Sequence, residues 1–133
     1  MRVWIECMLG ISLGAEDSLS ALRSGELLCD LINLIKPGIV PKIARKELLD
    51  AMPENRRHMR MRENIGQYVD ACAELGVPGR ELFLTADLFE RKNPKAVYKS
   101  LDGLARLAHH DVPGFKGPHV GKVMAGKSTK SKK

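Results

Sequence analysis

The groups that could ligate a metal or act as nucleophile, acid or base in this 133-residue chain are four histidines, three cysteines and sixteen acidic residues. His58, His109, His110 and His119 fit no tetrahedral ligand spacing, either with one another or with a cysteine. His109 and His110 close a helical pattern, where a positive or polar side chain suits the helix dipole. Cys7, Cys29 and Cys72 are odd in number and widely spaced, which argues against a disulfide framework. Cys29 and Cys72 fall within apolar helical patterns, where free cysteine acts as a small buried hydrophobe. Asp30 and Asp70 interrupt apolar stretches and read as solvent-facing or salt-bridged carboxylates, not as a paired acid and base. There is no glycine-rich phosphate loop, because Gly76 and Gly79 punctuate helices. The expectation is a protein that is not an enzyme and that needs no cofactor and no metal.

Positive charge is what remains. Arg56, Arg57, Arg60 and Arg62 cluster around His58 and Met59. Lys92, Lys95 and Lys99 recur at i, i+3 and i+7, with Arg106 further along the same segment. Five of the six net positive charges lie after residue 110, where Lys116, Lys122, Lys127, Lys130, Lys132 and Lys133 stand against Asp111 alone. Rows of this kind are most often solvated faces. Their functional reading is contact with an acidic surface, where charge steers association and salt weakens it. A fold built around nucleic acid would carry the charge on its folded part, so any such contact through the tail is expected to be nonspecific.

The elements that must position these groups are helices. Val3, Trp4, Cys7 and Met8 share one helical face. Glu16, Asp17 and Ser18 offer caps and acidic first-turn charge for a short helix through Leu19 and Leu22. Ser24-Gly25 opens a segment in which Leu27, Leu28, Leu31, Ile32, Leu34 and Ile35 are apolar nearly all round, the mark of a buried core helix. Pro37-Gly38 stops it, and Ile39, Val40 and Ile43 follow in a loop pinned to the core. Residues 63–75 are cleanly periodic at Ile65, Tyr68, Val69 and Cys72, and Gly76 and Pro78-Gly79 end them. Residues 82–89 form a short apolar piece with Thr85 as its cap. Asn93-Pro94 pairs a capping residue with proline at the first helical position, and Val97, Leu101, Leu104 and Ala108 keep one face of the last helix apolar. The fold class predicted is all-α: one globule of four main helices plus short ones over residues 1–110, and a disordered basic tail over 111–133, whose Gly, Pro, Lys and Ser cannot repay the entropy of ordering.

Several motifs in order resemble one family. Residues 22–33, Leu-Arg-Ser-Gly-Glu-Leu-Leu-Cys-Asp-Leu-Ile-Asn, followed by Pro37-Gly38 and Val40, are similar to the central-helix signature of the calponin homology domain. Glu63-Asn64-Ile65, Ala71-Cys72 and Leu75-Gly76-Val77-Pro78 resemble the next signature. Leu82-Phe83, Asp87-Leu88-Phe89-Glu90, Lys92-Asn93 and Val97 complete it, and Trp4-Ile5-Glu6 resembles the end of the family's first helix. The likeness runs from residue 1 to about 108 and lies nearest the single-domain calponin and transgelin type. In the family the first helix usually begins earlier, so a short first helix is expected. Met59 stands where the family often has an aromatic residue. Arg62 stands where it often has an apolar one, which makes that loop more basic. The tail shares only Val120-Gly121 and Met124 with the calponin-like repeat.

The resemblance implies a non-enzymatic cytoskeletal module that binds actin filaments. Related domains imply microtubules or a signalling-scaffold partner as alternatives. A cytoplasmic, cytoskeleton-associated monomer is expected. Residues 1–6 carry a charge too early for a signal peptide, and no apolar run approaches the ~20 residues that cross a bilayer, so no membrane partner is expected. The composition shift after His110 carries one prediction. A chain ending at Asp111 keeps the helical circular-dichroism signal and melting temperature of the whole, and a drop of more than about 4 °C shows that the tail packs on the core.

Overall fold

A computed structural model describes residues 2–11 and 18–111. Its helices are α1 (Arg2–Leu9), α2 (Ser18–Leu22), α3 (Glu26–Ile35), α4 (Lys46–Asp50), α5 (Glu54–Leu75), α6 (Thr85–Phe89) and α7 (Pro94–Asp111), with a 3-10 turn at Gly79–Glu81. There is no strand among the described residues, so the all-α class predicted from the sequence is what is found. α1, α3, α5 and α7 are the four main helices. The expected tail, and Glu16 and Asp17 as caps, lie outside the described residues. No described helix is long and apolar enough to cross a membrane.

The most extensive helix pair is α3 against α5. Leu28, Cys29, Leu31, Ile32 and Ile35 of α3 are buried, with Leu31 and Ile32 fully so. They meet Ile65, Tyr68, Ala71 and Cys72 of α5 in one continuous core, joined by Val97, Leu101 and Leu104 of α7. α1 and α2 lie on α3, α4 lies on α5, and α6 bridges α5 and α7. The loop after α3 is pinned as expected, with Val40 buried and Ile39 and Ile43 packed on the core. A clip that periodicity does not reveal holds it as well. The Asn33 amide donates to the Val40 carbonyl at 3.0 Å, and the Val40 N–H donates to Asn33 Oδ1 at 2.9 Å.

Two boundaries differ from the sequence expectation. α5 begins at Glu54, nine residues before its visible periodicity. In its first turns only Met61 is buried, so an apolar repeat has nothing to act on there. The basic residues around His58 are therefore helical, not in a loop. Thr85 is the first residue of α6 and not its cap. Leu84 takes the cap position, and its N–H donates to the Asp87 carboxylate at 2.9 Å. Asn93 does cap α7, accepting from the Ala96 N–H at 3.3 Å. α5 ends as Gly76 requires. At φ 113° that residue is left-handed, and the Val77 N–H reaches back to the Cys72 carbonyl at 3.0 Å.

Asn64 joins three segments. It is 1% exposed. Its amide donates to the carbonyls of Ser24 and Ala44, both at 3.0 Å, and its Oδ1 accepts from the Ala44 N–H at 3.0 Å. Its own carbonyl lies 3.2 Å from the Cys29 thiol, which donates to it. Gly25 makes the approach possible. A Cβ there would sit 2.7 Å from Asn64 Cβ and 2.7 Å from the Ile65 nitrogen, at a φ of +78°. Asn64→Ala leaves three part-buried backbone groups without their partner, so it should cost about 2–4 kcal/mol by urea unfolding. Asn64→Asp, which cannot donate, should fall nearby. A loss below about 1 kcal/mol would mean that water reaches these groups.

Candidate functional site

The positive charges fall into three groups once placed in space. The α5 cluster is mostly engaged. Arg57 donates to the Met52 carbonyl at 3.3 Å, and Arg60 pairs with Glu63 at 2.8 Å. The Arg62 guanidinium lies 5.2 Å from the centroid of the Phe89 ring. Arg23, which the sequence reading did not single out, lies closer, at 4.0 Å, and its Nε donates to the Phe89 carbonyl at 3.0 Å. His58 meets the same ring edge-on at 5.2 Å. Phe89 thus collects two guanidiniums by cation–π contact and one imidazole edge-on, which ties the turn after α2 to α5 and α6. Only Arg56 of the cluster has a side chain without a partner among the described residues.

The lysine row divides. Lys92 precedes α7 and pairs with Glu90 at 3.6 Å. Arg106 is held by Asp102 at 3.0 Å and by the largely buried Glu81 at 3.7 Å. Glu81 itself lies so close to α7 that a Cβ on Gly103 would come within 2.2 Å of its carboxylate. Lys95 and Lys99 have no ion-pair partner among the described residues, and they share a groove of about 380 Å³ with Arg80 of the 3-10 turn. Arg80 was invisible to periodicity because it comes from a different element. Lys116, Lys122, Lys127, Lys130, Lys132 and Lys133 lie outside the described residues.

A larger cleft, about 800 Å³, opens between α3, α4 and the start of α5. Arg23, Lys46, Arg57 and His58 line it together with Glu26, Glu47, Asp50 and Glu54. Lys46 already pairs with Asp50 at 2.7 Å, and Arg45 nearby binds Asp30 at 2.8 Å and Glu26 at 3.3 Å. Asp30 is therefore a salt-bridge partner, and Asp70 is exposed. Among the described residues no three of His, Cys, Asp and Glu stand where they could hold a metal ion together.

A family model described as the calponin homology (CH) domain matches residues 1–110. Myophilin of Echinococcus granulosus is 35% identical over 123 residues, which are 92% of this chain and 60% of that protein. Muscle-specific protein 20 of Drosophila melanogaster is 32% identical over 119 residues, 89% of this chain and 59% of that protein. Calponin-2 of Homo sapiens is 35% identical over 108 residues, 81% of this chain and 32% of that protein. The chain thus spans about three fifths of the first two and about a third of the last.

The thiols complete the chemical inventory. Burial, reinforced by the Asp30 charge, pushes Cys29 up to about 12 from an ordinary 9.0. Burial pushes Cys72 up to about 12 as well, against the opposing pull of the Tyr68 and Ser100 hydroxyls. Cys7 is exposed. At pH 8 iodoacetamide should therefore modify Cys7 alone in the native protein, with Cys29 and Cys72 reacting only after denaturation. Each buried thiol also favours the folded state fully below pH 9.0, and that contribution is lost as pH rises from 9.0 towards about 12. Native mass spectra showing two or three adducts as fast as the first would overturn this placement.

Proposed function

The chain belongs to the calponin homology family, and on that premise we propose that it is a non-enzymatic cytoskeletal module that binds actin filaments in the cytoplasm. The observation that carries the reading is the family match over residues 1–110, the whole of the helical globule. Relatives named for muscle fit it: muscle-specific protein 20 and myophilin each align with about nine tenths of this chain. The charge distribution supplies a physical route. Residues 112–133 carry six lysines and no acid, so a chain ending at Asp111 has a formal net charge of zero. A polycation tethered beside a folded domain holds it near an acidic polymer, and the two weak contacts gain from their linkage. Exposed lysines are screened beyond ~8–10 Å at physiological salt, so the tail steers and retains while the folded face sets orientation.

Co-sedimentation across a salt series tests the proposal, with actin filaments and microtubules in parallel. The full chain should pellet with actin filaments at low salt and release as salt rises. Removal of residues 112–133 should weaken pelleting several-fold and flatten its salt dependence, because the net charge that drives long-range attraction is gone. Full chain that stays in the supernatant with excess actin filaments at low salt overturns the reading. Pelleting with microtubules alone would do so in favour of the other filament.

A further inference from the structure

We propose that Ser20 is a phosphorylation site, and that its phosphate is clamped by Arg91 and Arg23 so that α2 is locked to the turn between α6 and α7. The proposal does not depend on the filament reading above.

Two segments far apart in sequence meet at this corner through arginines. From one side, Arg23 donates its Nε to the Phe89 carbonyl at 3.0 Å and lays its guanidinium 4.0 Å from the Phe89 ring centroid. From the other, Arg91 donates its Nη2 to the Ser20 hydroxyl oxygen. Residues 20 and 23 lie about one helical turn apart, and residues 89 and 91 flank the end of α6, so both guanidiniums stand at one seam. Arg62 and His58 approach the same ring, each at 5.2 Å. Ser20, Arg23, Arg57 and His58 also line the cleft of about 800 Å³, which leaves Ser20 an open side. The acids around it are engaged elsewhere. Glu26 binds Arg45 at 3.3 Å and the Lys46 N–H at 3.1 Å, Asp50 binds Lys46 at 2.7 Å, and Glu90 binds Lys92 at 3.6 Å. Glu54 lies 3.9 Å from His58. Of the cleft's four acids only Glu47, on α4, lacks a partner among the described residues. A neutral hydroxyl thus occupies a place whose surroundings suit an anion.

The backbone at Arg91 points the same way. It follows α6 at φ 57°, the one positive φ outside glycine among the described residues. Glycine ordinarily takes that left-handed position after a helix. Strain held at an arginine is expected where its side chain serves a site. A guanidinium presents paired N–H groups that match phosphate oxygens bidentately, whereas the serine oxygen occupies Nη2 alone. Phosphorylation adds three acceptor oxygens and a charge of roughly −1.5 to −2 at neutral pH. Arg91 is exposed, so its side chain has room to re-seat around the larger group. Because Ser20 Oγ already rests on Arg91, the covalent bond itself delivers the phosphate to the clamp. Ser20 is partly exposed and stands on a five-residue helix, too short to persist without its packing, so local opening presents it to a protein kinase. The kinase transfers the γ-phosphoryl group of a nucleoside triphosphate. The bond from Ser20 Oγ to phosphorus forms, the bond from that phosphorus to the bridging oxygen breaks, the nucleoside diphosphate leaves, and the hydroxyl proton passes to the kinase's base.

Two measurements test this. In the first, the protein is isolated from its own cells after phosphatase inhibition and its peptides are mapped by mass spectrometry. Phosphate should be found on Ser20, and finding that serine only unmodified would overturn the assignment. The second uses the full chain with phosphoserine placed at position 20 by genetic encoding. At low salt it should melt about 4 °C or more above the unmodified chain, as charge-assisted hydrogen bonds across two segments imply. R91Q and R23Q should each remove about half or more of that rise, while K92Q, which deletes the neighbouring charge, should leave it in place. Each variant is measured with and without the phosphate, so any loss of stability from the substitution alone cancels. The phosphorus resonance should also titrate at least about half a pH unit lower in the folded chain than in urea, because guanidiniums favour the dianion, and R91Q should abolish that difference. A rise that survives R91Q or R23Q, an equal reduction by K92Q, or a lower melting temperature on phosphorylation would overturn the clamp.

Discussion

The structure depends on one side chain that satisfies backbone far from it in sequence. Asn64 stands on the longest helix and reaches both the turn before α3 and the loop before α4. The start of α4 has one further tie to α3, from the Lys46 N–H to Glu26 Oε1 at 3.1 Å. A buried amide or carbonyl without a partner costs more than a made bond returns, so one asparagine that closes three such groups decides where two loops can lie. The constraint propagates to Gly25. Only a residue without a Cβ, and tolerant of positive φ, lets α3 begin against the backbone of Asn64 and Ile65. With that start held in place, Leu28, Leu31 and Ile32 fall against Ile65 and Tyr68, and the core of the domain follows.

On this frame the charges take up two different conditions. Most have a partner within the fold, and several do structural work. Arg45 clamps Asp30 and Glu26, Arg106 ties the 3-10 turn to α7 through Glu81, and Arg23 and Arg62 close on Phe89 from separate segments. Exposed pairs of this kind contribute little each, so their main effect is to leave most of the folded surface without a strong field. Positive side chains without a partner among the described residues include Arg56 on α5 and Arg80, Lys95 and Lys99 in the groove beside α7, and the lysines after residue 110 add to them. On the proposed filament reading, the lysines after residue 110 supply the attraction to an acidic polymer.

The sequence by itself determined the helical class, the core and the caps at Gly76 and Asn93. Each of these is a local or periodic property. Leu31, Ile32, Ile65, Cys72, Val97 and Leu101 repeat at helical spacing because one face of each helix must leave water, and glycine and proline mark places where a helix cannot continue. The first two turns of α5 escaped notice because a helix with almost no buried face has no apolar period to read. Tertiary structure decided which charges meet across different elements. Lys92, Lys95, Lys99 and Arg106 look alike along the chain. Glu90 and Asp102 lie near Lys92 and Arg106 in the sequence, whereas only the packing of the 3-10 turn beside α7 brings Glu81 to Arg106 and Arg80 to the same groove as Lys95 and Lys99. Charge pairing acts through space over a few ångströms, and sequence spacing carries that information only within one helix.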